Sequence, residues 1–587
     1  MTHAQTEIIG SSLEAAAWEM CASLIRTAYS PNVKERADCS TAICDVEGRT
    51  LALATYAPAH LGSTLRLVPA ILQRFPKESL RPGDIFFAND PYIVGVTHLN
   101  DCTVAAPIFA DGELVAFAAA VAHHSDVGGR VPGSESGDST SIFQEGIRVP
   151  PVKLVAAGEL RRDVLEMFLL NSRTPQFSEG DILAQTAATA SGTRRVQQLY
   201  ARYGRDVVAR CAGEMLDATE RRIRSLIGRT LREGTYSSGD WLDEDGISDR
   251  PVKLAVTLTV RDGEVTFDFT ECSAQLGSGK NIPYTHTMAT VYYCVKAMVD
   301  PHLSINEGMY RPIKVVAPEG SVVNPRSPGG VGSRNQTSMI LADVMIDALG
   351  QAAPDRAIAP AGPYQGIILS GWDPRRQRFF VDYENFAGGH GASVCDDGMD
   401  VTQIHMTNTS NLPIEVMEVE FPVRVERYEI LCDSGGAGRH RGGAGVVREL
   451  RILNGDTLLA CRSARQRFAA QGRLGGAPGT TGAFVLNPGG EARRLPSTSS
   501  ELPLKQGDLL QIVTPGGGGF GEPQQRSPER VLADVLEGKV SLQAARSVYR
   551  VAIDVDAVAV DVEETARLRS QGVQETGPSI QGDESCA

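Results

Sequence analysis

The sequence lacks the features that several large protein classes require. Its 11 cysteines include no CxxC pair and no dense, even spacing, which excludes a zinc ribbon or a disulfide-stapled domain and favours reduced cysteines in the core. Acidic residues outnumber basic ones, 71 against 57, for a formal net charge of -14. Because nucleic acids and anionic membranes bind basic faces, neither is expected to be the main partner.

Targeting segments and nucleotide motifs are also missing from the chain. No run of about 18 apolar residues is evident, so we expect no membrane-spanning helix. The acidic residues Glu7, Glu14 and Glu19 are incompatible with a secretory signal peptide, which predicts a cytoplasmic protein. LGSGKN at 276–281 lacks the first glycine and the Ser/Thr of a phosphate-binding loop. Any ATP must therefore be bound by another polypeptide.

The composition that remains is ordinary for a soluble globular protein, with 42% hydrophobic and 22% charged residues. The length of 587 residues predicts roughly three to four domains. We expect a multi-domain α+β fold with a mixed α/β composition. The predicted divisions are 1–157 (N-terminal α+β metal-binding region, rich in β-hairpins), 158–240 (helical region), 241–400 (mixed α/β region), 401–525 (β-rich region with glycine loops) and 526–587 (C-terminal helical segment and flexible tail).

Local patterns predict most of the secondary structure. Ser11-x-x-Glu14 is a capping box that opens an amphipathic helix ending before Ser30-Pro31. Two-residue Asp-Gly turns and period-two apolar patterns predict β-hairpins, whereas apolar residues at helical spacing predict helices. The further predicted elements are hairpins at 41–54 and 252–273, helices at 160–173, 193–204, 205–233, 283–298, 338–352 and within 527–570, and strands at 312–318, 368–372 and 379–384.

Three glycine clusters dominate the last third of the chain, at 433–445, 472–479 and 514–523. DSGGAG in the first cluster is too short a match to indicate a protease nucleophile and is interpreted as a turn. PGGGGFG in the third cluster can cradle an anion through its N-H groups, but such runs more often let two backbones pass closely. The tail 574–587 is predicted to be disordered.

One predicted hairpin organises the rest of the chain. Apolar runs at 102–109 and 114–122 flank Asp111-Gly112, a dipeptide typical of a tight two-residue turn. An uninterrupted register from this turn places Asp101 opposite Ala122. It gathers several polar residues at the open end of the hairpin. They are His98, Asp101, His123, His124 and Asp126.

Two imidazoles and a carboxylate within a few ångströms bind a borderline divalent ion such as Zn or Mn, and positions stay open for water or substrate. Strict alternation places His124 on the face of Asp101, but a bulge would place His123 there instead, so the choice stays open. A lone histidine is more often structural. The chain has only 10 histidines, however, and four of them lie between positions 60 and 124, which favours a metal site.

The hairpin predicted at 41–54 repeats this arrangement, because Asp38 precedes its first strand and His60 follows its second. If both hairpins belong to one sheet, Asp38 and His60 reach the same cluster. The alternative for Asp38 is a carboxylate that caps a turn.

Segments throughout the chain resemble the hydantoinase B and 5-oxoprolinase family, which also includes the larger subunits of acetone and acetophenone carboxylases and a caprolactamase subunit. The resemblance covers about 30 to 525. Its segments are KERADCS, PAHLGS, ANDPYIVGVTHLNDCTVAAPIF, AHHSDVGGRVPGS, FQEGIRVPPVKL, INEGMYRPIKVVAPEGSVVNP, MTNTSNLPIEVMEVEFPVRVERYEI, DSGGAGRHRGGAG and TPGGGGFGEP.

The resemblance implies a partner, the A-type subunit, which is similar to sugar and acetate kinases and binds ATP with Mg. It implies a complex of two A and two B chains, in which the B-type chain carries Zn or Mn. Carried over to this sequence, the metal ligands are His98, Asp101 and His123, with Asp38 as the fourth. The resemblance thus prefers His123 where the uninterrupted register prefers His124. His124 or Asp126 is then expected to act as general base or as support for the ligands.

The expected function is ATP-dependent hydrolysis of a cyclic amide, namely a lactam, a hydantoin or 5-oxoproline. Phosphorylation of the oxygen in the A-type partner gives an activated imidate, which a metal-activated water then attacks. The alternative is a component of an ATP-dependent ketone carboxylase of the acetone or acetophenone type. The chain shows no large insertion of the kind that acetone carboxylase large subunits carry, which favours hydrolysis. In a third hypothesis the chain is only a scaffold for its partner.

Overall fold

A computed structural model describes residues 3–571 of the chain, and its first sheet is built around the predicted central hairpin. The seven strands are β1 (Cys39–Cys44), β2 (Thr50–Thr55), β3 (Ile85–Ala88), β4 (Asp101–Ala110), β5 (Glu113–His123), β6 (Val152–Ala156) and β7 (Glu159–Leu160). Their order across the sheet is β2-β1-β5-β4-β3-β6-β7, so the predicted hairpins at 41–54 and 102–122 are neighbours in one sheet. The predicted disorder of 574–587 lies outside the described residues.

The turn of the central hairpin has the predicted conformation. Asp111 and Gly112 have φ angles of 51° and 79°. Positive φ at both central positions matches the right-handed twist of the two strands, which is why Asp-Gly is favoured there. Ala110 pairs with Glu113 beside the turn, as the sequence predicts.

A β-bulge then shifts the register of this hairpin by one residue between Phe109 and Ile108, so that Phe109 pairs with Leu114 but Ile108 pairs with Ala116. As a result Asp101 pairs with His123, and the predicted pairing of Asp101 with Ala122 is wrong. The bulge decides between the two alternatives that the sequence left open: His123, and not His124, shares the face of Asp101. One extra residue in β5 moves every later side chain to the opposite face, because strand side chains alternate with a period of two.

Thirteen α-helices lie within the described residues. They are α1 (His3–Thr27), α2 (Pro31–Lys34), α3 (Leu67–Arg74), α4 (Arg162–Leu169), α5 (Pro175–Tyr203), α6 (Arg205–Thr230), α7 (Tyr284–Val299), α8 (Glu307–Tyr310), α9 (Arg334–Ala352), α10 (Ile414–Glu420), α11 (Pro528–Leu536), α12 (Leu542–Ser547) and α13 (Val562–Gln571). Each predicted helix overlaps one of them, but α1 begins at His3, so Ser11 lies inside the helix and does not cap it, and α5 begins at Pro175 although the prediction covers only 193–204. In the segment 527–570, however, a two-stranded sheet of β21 (Ala552–Asp554) and β22 (Ala559–Asp561) separates α12 from α13.

The first sheet is covered on both faces, which explains its long apolar runs. In β5, Ala118 and Ala120 belong to a core with α1, α5 and α6. Phe117 and Ala119, on the other face, join a larger core that contains α7 and α9. The two faces of β5 thus point into two different environments.

Helix α1 bears on the expectation that the chain has no membrane-spanning helix. Among the described residues, the segment Ala4–Thr27 is long and apolar enough to cross a membrane. Ile9, Leu13, Met20 and Leu24 in it are buried within the core that α5 and α6 share. Packing against α5 and α6 therefore accounts for these apolar residues of α1.

The second sheet has the order β11-β10-β9-β8 and packs on α7 and α9. Its strands are β8 (Gly234–Leu242), β9 (Val252–Arg261), β10 (Glu264–Asp268) and β11 (Ile313–Val316). The predicted hairpin with the turn Asp262-Gly263 is formed by β9 and β10. Helix α9 is buried along most of its length, and its first residue, Arg334, points into the site described below.

Two further sheets enclose a core in the last third of the chain. Their orders are β13-β12-β16-β19 and β14-β15-β20-β17-β18. The strands are β12 (Gln365–Asp373), β13 (Arg378–Phe386), β14 (Val423–Ile430), β15 (Val446–Ile452), β16 (Thr457–Arg462), β17 (Ala483–Leu486), β18 (Arg493–Leu495), β19 (Thr498–Leu504) and β20 (Leu509–Val513). The ten cysteines of the described residues are free, but Cys395 and Cys432 are exposed, so not all of them are core residues.

The glycine clusters pack backbone against backbone. The N-H groups of Gly517, Gly518 and Gly519 donate to the carbonyls of Gly443, Pro360 and Ala477 at 2.9–3.0 Å. A Cβ atom at Gly517 would lie 2.1 Å from the carbonyl oxygen of His390. These N-H groups are therefore engaged within the protein, which favours the close passage of backbones over the anion cradle.

Candidate metal centre

Three strand ends bring the predicted site residues to one edge of the first sheet. Strand β1 begins directly after Asp38, β4 begins at Asp101, and β5 ends at His123. Because β5 is antiparallel to both neighbours, these three ends lie side by side. The backbone N-H of His123 donates to the carbonyl of Asp38 at 3.1 Å, and that of Asp101 donates to the carbonyl of His98 at 3.2 Å.

His98, Asp101 and His123 form a buried cluster that can hold a metal ion. One ligand atom from each residue lies within 4.8 Å of the other two. The distance from His98 Nε2 to Asp101 Oδ1 is 3.3 Å, and the rings of His98 and His123 have centroids 4.9 Å apart. The structure thus brings His123 next to His98 and Asp101, which lie more than 20 positions earlier in the sequence.

Unpartnered atoms in this cluster fit a divalent cation. Both ring nitrogens of His98 and Oδ1 of Asp101 are buried without a hydrogen-bond partner. A buried polar atom without a partner costs about 1–3 kcal/mol, and folded proteins leave few of them. Imidazole nitrogen with carboxylate oxygen is a donor set that suits Zn and Mn.

The hairpin of β1 and β2 contributes a third imidazole. His60 Nε2 lies 3.6 Å from Asp101 Oδ1 and 3.9 Å from Asp38 Oδ1. His60 Nδ1 is hydrogen-bonded to Ser40 Oγ at 2.9 Å. Asp38 and His60 thus border the cluster, as expected if both hairpins share a sheet. The role of Asp38 as a fourth ligand stays a prediction.

Burial and neighbouring charges set the protonation of the cluster. Burial, and then the charge of Arg334, hold the pKa of His98 well below its usual value. Burial lowers the pKa of His123 to about 4. Burial would raise the pKa of Asp101, but His98 and His60 beside it hold that pKa well below the usual range. At neutral pH the rings of His98 and His123 are therefore neutral and Asp101 is a carboxylate, which are the protonation states that ligate metals.

Sequence reasoning missed Glu135, which is fully buried beside the cluster. Its carboxylate is paired with Arg334 at 3.0 Å and with Arg462. The hydroxyl of Tyr383 lies 3.3 Å from each of its oxygens. The only signal in the sequence was a lone acid in the small-residue segment VPGSESG, whose partners come from α9, β13 and β16.

His286, near the start of α7, was missed as well. Its side chain is fully buried, and neither ring nitrogen has a hydrogen-bond partner. Burial, and then the charge of Arg334, hold the pKa of His286 well below its usual value. Its helical segment offered no pattern that separates it from a core residue.

The structure places His124 and Asp126 differently from the cluster. His124 Nε2 is hydrogen-bonded to Gln185 Oε1 of α5 at 3.1 Å, on the opposite face of the sheet from His123. The oxygens of Asp126 accept hydrogen bonds from the backbone of Gly128 and Gly133 and from Arg173, at 2.8–3.1 Å. These contacts hold a loop together. The catalytic role predicted for either residue stays a prediction.

The buried side chain of Glu145 is expected to make the stability of the folded protein depend on pH. Its Oε1 accepts hydrogen bonds from the N-H groups of Val331 and Gly332 at 2.8 Å, while its buried Oε2 has no partner. Burial outweighs these bonds and raises the pKa of Glu145 from 4.5 to about 8. The folded state thus retains a proton that the unfolded state releases, so this group's contribution to stability is lost as pH rises from 4.5 to 8.

We expect Glu145→Gln to be more stable than the parent at pH 9 by a few kcal/mol, and similar to it near pH 5. The measurement is the thermal unfolding temperature of both proteins from pH 5 to pH 9. Parallel curves would contradict a buried, protonated Glu145.

Comparisons with known proteins now place the chain. The profile of the hydantoinase B/oxoprolinase family matches residues 2–523. The chain belongs to this family. The family resemblance inferred from the sequence is therefore confirmed.

Named relatives in the family match the chain almost from end to end. The B-type chain of a putative D-/L-hydantoinase from Pseudomonas sp. (strain NS671) is 31% identical, over 96% of this chain and 97% of the relative. The beta chain of the caprolactamase from Pseudomonas jessenii is 33% identical, over 93% and 95%.

Solved structures share the fold. The ATP-dependent caprolactamase from Pseudomonas jessenii superposes with a TM-score of 0.88 at 30% identity, and the match covers 97% of this chain and 100% of that one. Nucleotide-free acetone carboxylase superposes with a TM-score of 0.89 at 20% identity, covering 98% and 84%. At that identity the second likeness shows the fold alone.

Proposed function

We propose that this chain is the metal-carrying B-type subunit of an ATP-dependent cyclic-amide hydrolase that opens a lactam, hydantoin or 5-oxoproline ring. The observation that carries the proposal is the buried cluster of His98, Asp101 and His123, in which His98 and Asp101 offer unpartnered ligand atoms. Family membership and the names of the relatives support the substrate class.

His98, Asp101 and His123 would hold the ion, with Asp38 as the fourth ligand. When bound there, Zn or Mn supplies Lewis-acid chemistry: it lowers the pKa of water and polarises an oxygen. The chain itself orients the donors. Thr97 donates a hydrogen bond to Asp101 Oδ2 and accepts one from Arg334 Nε at 3.0 Å, which leaves Oδ1 of Asp101 directed toward His98.

Burial gives the site a second property. His98, Asp101 and His123 are at most 2% exposed, so bulk water is largely excluded from them. Exclusion of water strengthens electrostatic interactions and protects a reactive phosphorylated intermediate from uncontrolled hydrolysis. A cyclic amide resists attack because its resonance must be broken, so we infer that it reaches this site already activated.

Activation of the cyclic amide by phosphorylation requires a second protein that binds ATP. We propose an A-type subunit that binds ATP with Mg, in a complex of two A and two B chains in the cytoplasm. The relatives named as the B-type chain of a hydantoinase and the beta chain of a caprolactamase support such a partner. The absence of an intact nucleotide motif in this sequence agrees with it.

The two residues that the sequence offers as general base are better suited to support the site. His124 and Asp126 are the candidates from the sequence, but their hydrogen bonds to Gln185, Arg173 and loop amides favour support of the site over proton transfer. We therefore propose that they hold the edge of the sheet and the adjoining loop in place.

A second candidate function is that of a component of an ATP-dependent ketone carboxylase, favoured by the fold shared with acetone carboxylase. Both candidates use an activated oxygen, but only carboxylation consumes bicarbonate. We expect the purified chain with its A-type partner, ATP and a cyclic amide to form the ring-opened product without bicarbonate, as measured by mass spectrometry. Strict dependence on bicarbonate, with a carboxylated product, would replace the hydrolase proposal by the carboxylase.

A further inference from the structure

Glu135 lies where two candidate metal-binding histidines and two arginines meet. Its Oε1 is 3.3 Å from His98 Nδ1, 3.4 Å from His123 Nε2 and 3.0 Å from Arg334 Nη1. Its Oε2 is paired with Arg462. All five side chains are at most 3% exposed. One buried carboxylate thus contacts both imidazole rings of the cluster.

The charges around Glu135 decide what it can do. Arg334 and Arg462 already supply two positive charges at contact distance. A divalent ion bound directly to Glu135 would be repelled strongly by both guanidinium groups in this low-dielectric setting. An ionised carboxylate has about four acceptor positions, so Glu135 retains capacity for N-H donors. Besides the two arginines and the hydroxyl of Tyr383, the donors that face Glu135 are the imidazole N-H groups of His98 and His123.

We propose that Glu135 is a positioning residue that fixes the rings of His98 and His123 by accepting their N-H groups in the metal-loaded protein. A proton on His98 Nδ1, toward Glu135, leaves the lone pair on Nε2, the atom that lies 3.3 Å from Asp101 Oδ1. Metal-ligating histidines commonly donate their second N-H to a carboxylate in this way. The inference rests on the proposed function, since it presumes that His98 ligates an ion.

The surroundings of His123 support the same role. Asn32 Oδ1 accepts a hydrogen bond from Arg36 Nη1 at 3.0 Å, so Asn32 Nδ2 is the atom that donates to His123 Nδ1 at 3.2 Å. The remaining proton of His123 is then on Nε2, directed at Glu135 Oε1. An ion bound through His123 Nδ1 would replace the hydrogen bond from Asn32 and leave the Nε2 proton directed at Glu135. Glu135 therefore controls both rings from one position.

The test uses metal ions alone as the probe. The affinity of the metal-stripped chain for Zn²⁺ is measured by competition with a chromophoric chelator, for the parent and for Glu135→Gln. We expect the variant to bind Zn²⁺ about 10- to 100-fold more weakly, as when other carboxylates that orient metal-bound histidines are removed. We also expect the visible absorption bands of the Co²⁺-loaded variant to shift, a signature that a purely structural role would leave unchanged.

Matched variants distinguish a failure of the proposed metal site from a failure of the positioning role of Glu135. Glu145→Gln replaces another buried acid, one that is protonated at neutral pH and accepts only backbone N-H groups, and this variant should bind Zn²⁺ like the parent. If His98→Ala and Asp101→Asn also bind Zn²⁺ like the parent, the proposed metal site itself is wrong. If those two lose Zn²⁺ while Glu135→Gln keeps the parent affinity and Co²⁺ spectrum, only the positioning role is overturned.

Glu135→Gln leaves two buried arginines with less opposing charge, so its folding is checked by circular dichroism and thermal unfolding. The double variant Glu135→Gln/Arg462→Gln removes the pair as a unit and restores the balance of charge. We expect this folded double variant still to bind Zn²⁺ at least about tenfold more weakly than the parent. Parent-like affinity in the double variant would show that Glu135 acts only as a counter-charge and would overturn the proposal.

Discussion

Replacing His98 with Ala is expected to abolish turnover by the complex of this chain with the proposed A-type partner while leaving that complex assembled. The substitution removes one of two side chains whose unpartnered atoms converge in the cluster. Loss of metal polarisation is worth several kcal/mol, so we expect a decrease in kcat of about a thousandfold or more. Elemental analysis of the purified complex should show that bound Zn or Mn is lost together with activity.

The matched control is His302→Ala, because His302 is exposed and follows α7 rather than lining the cluster. This variant should keep the parent's metal content and turnover. Size-exclusion chromatography checks that both variants still form the complex. Unchanged turnover in His98→Ala would support the hypothesis that the chain serves only as a scaffold.

Replacing Gly517 with Ala is expected to prevent stable folding of the last third of the chain. The added Cβ would lie 2.1 Å from the carbonyl oxygen of His390 and 2.4 Å from its carbonyl carbon. Neither is the end of a flexible side chain that can move aside, and Gly517 also donates to the carbonyl of Gly443. We expect a loss of more than about 4 kcal/mol in unfolding free energy, seen as insoluble protein or a much lower unfolding temperature.

The control is Gly213→Ala, in the interior of α6, where an added Cβ meets no atom within 4 Å. Because Ala favours a helix over Gly by up to about 1 kcal/mol, this variant should be as stable as the parent or more stable. Both variants are compared by soluble yield and chemical unfolding. A soluble Gly517→Ala protein with parent-like stability would show that the glycine clusters do not pack as described.

Much of the fold could be predicted because its signals are local. The turn at Asp111-Gly112, the helix α6 and the hairpin of β9 and β10 each follow from a pattern confined to one stretch of sequence. The division of the chain into five regions stays a prediction. The covering of both faces of the first sheet was not evident from β4 and β5, since apolar runs do not identify the helices that cover them.

The choice between His123 and His124 shows where local reasoning ended. Asp101 and both histidines were identified from their residue types and from the turn that joins their strands. A single bulge past Ile108 then decided which imidazole faces Asp101. A bulge depends on the twist and packing of the whole sheet, so no feature of residues 100–124 taken alone could place it.

By itself the sequence determined the family, the central hairpin, the glycine clusters and the imidazole and carboxylate groups available for an ion. The tertiary structure decided which of these groups meet and which charges surround them. Glu135, Arg334 and Arg462 lie far apart in the chain and come together only because α9 begins, and β16 ends, beside the same sheet edge. A strand pattern in the sequence predicts only the local element, whereas buried ionic contacts of this kind depend on how separate segments pack.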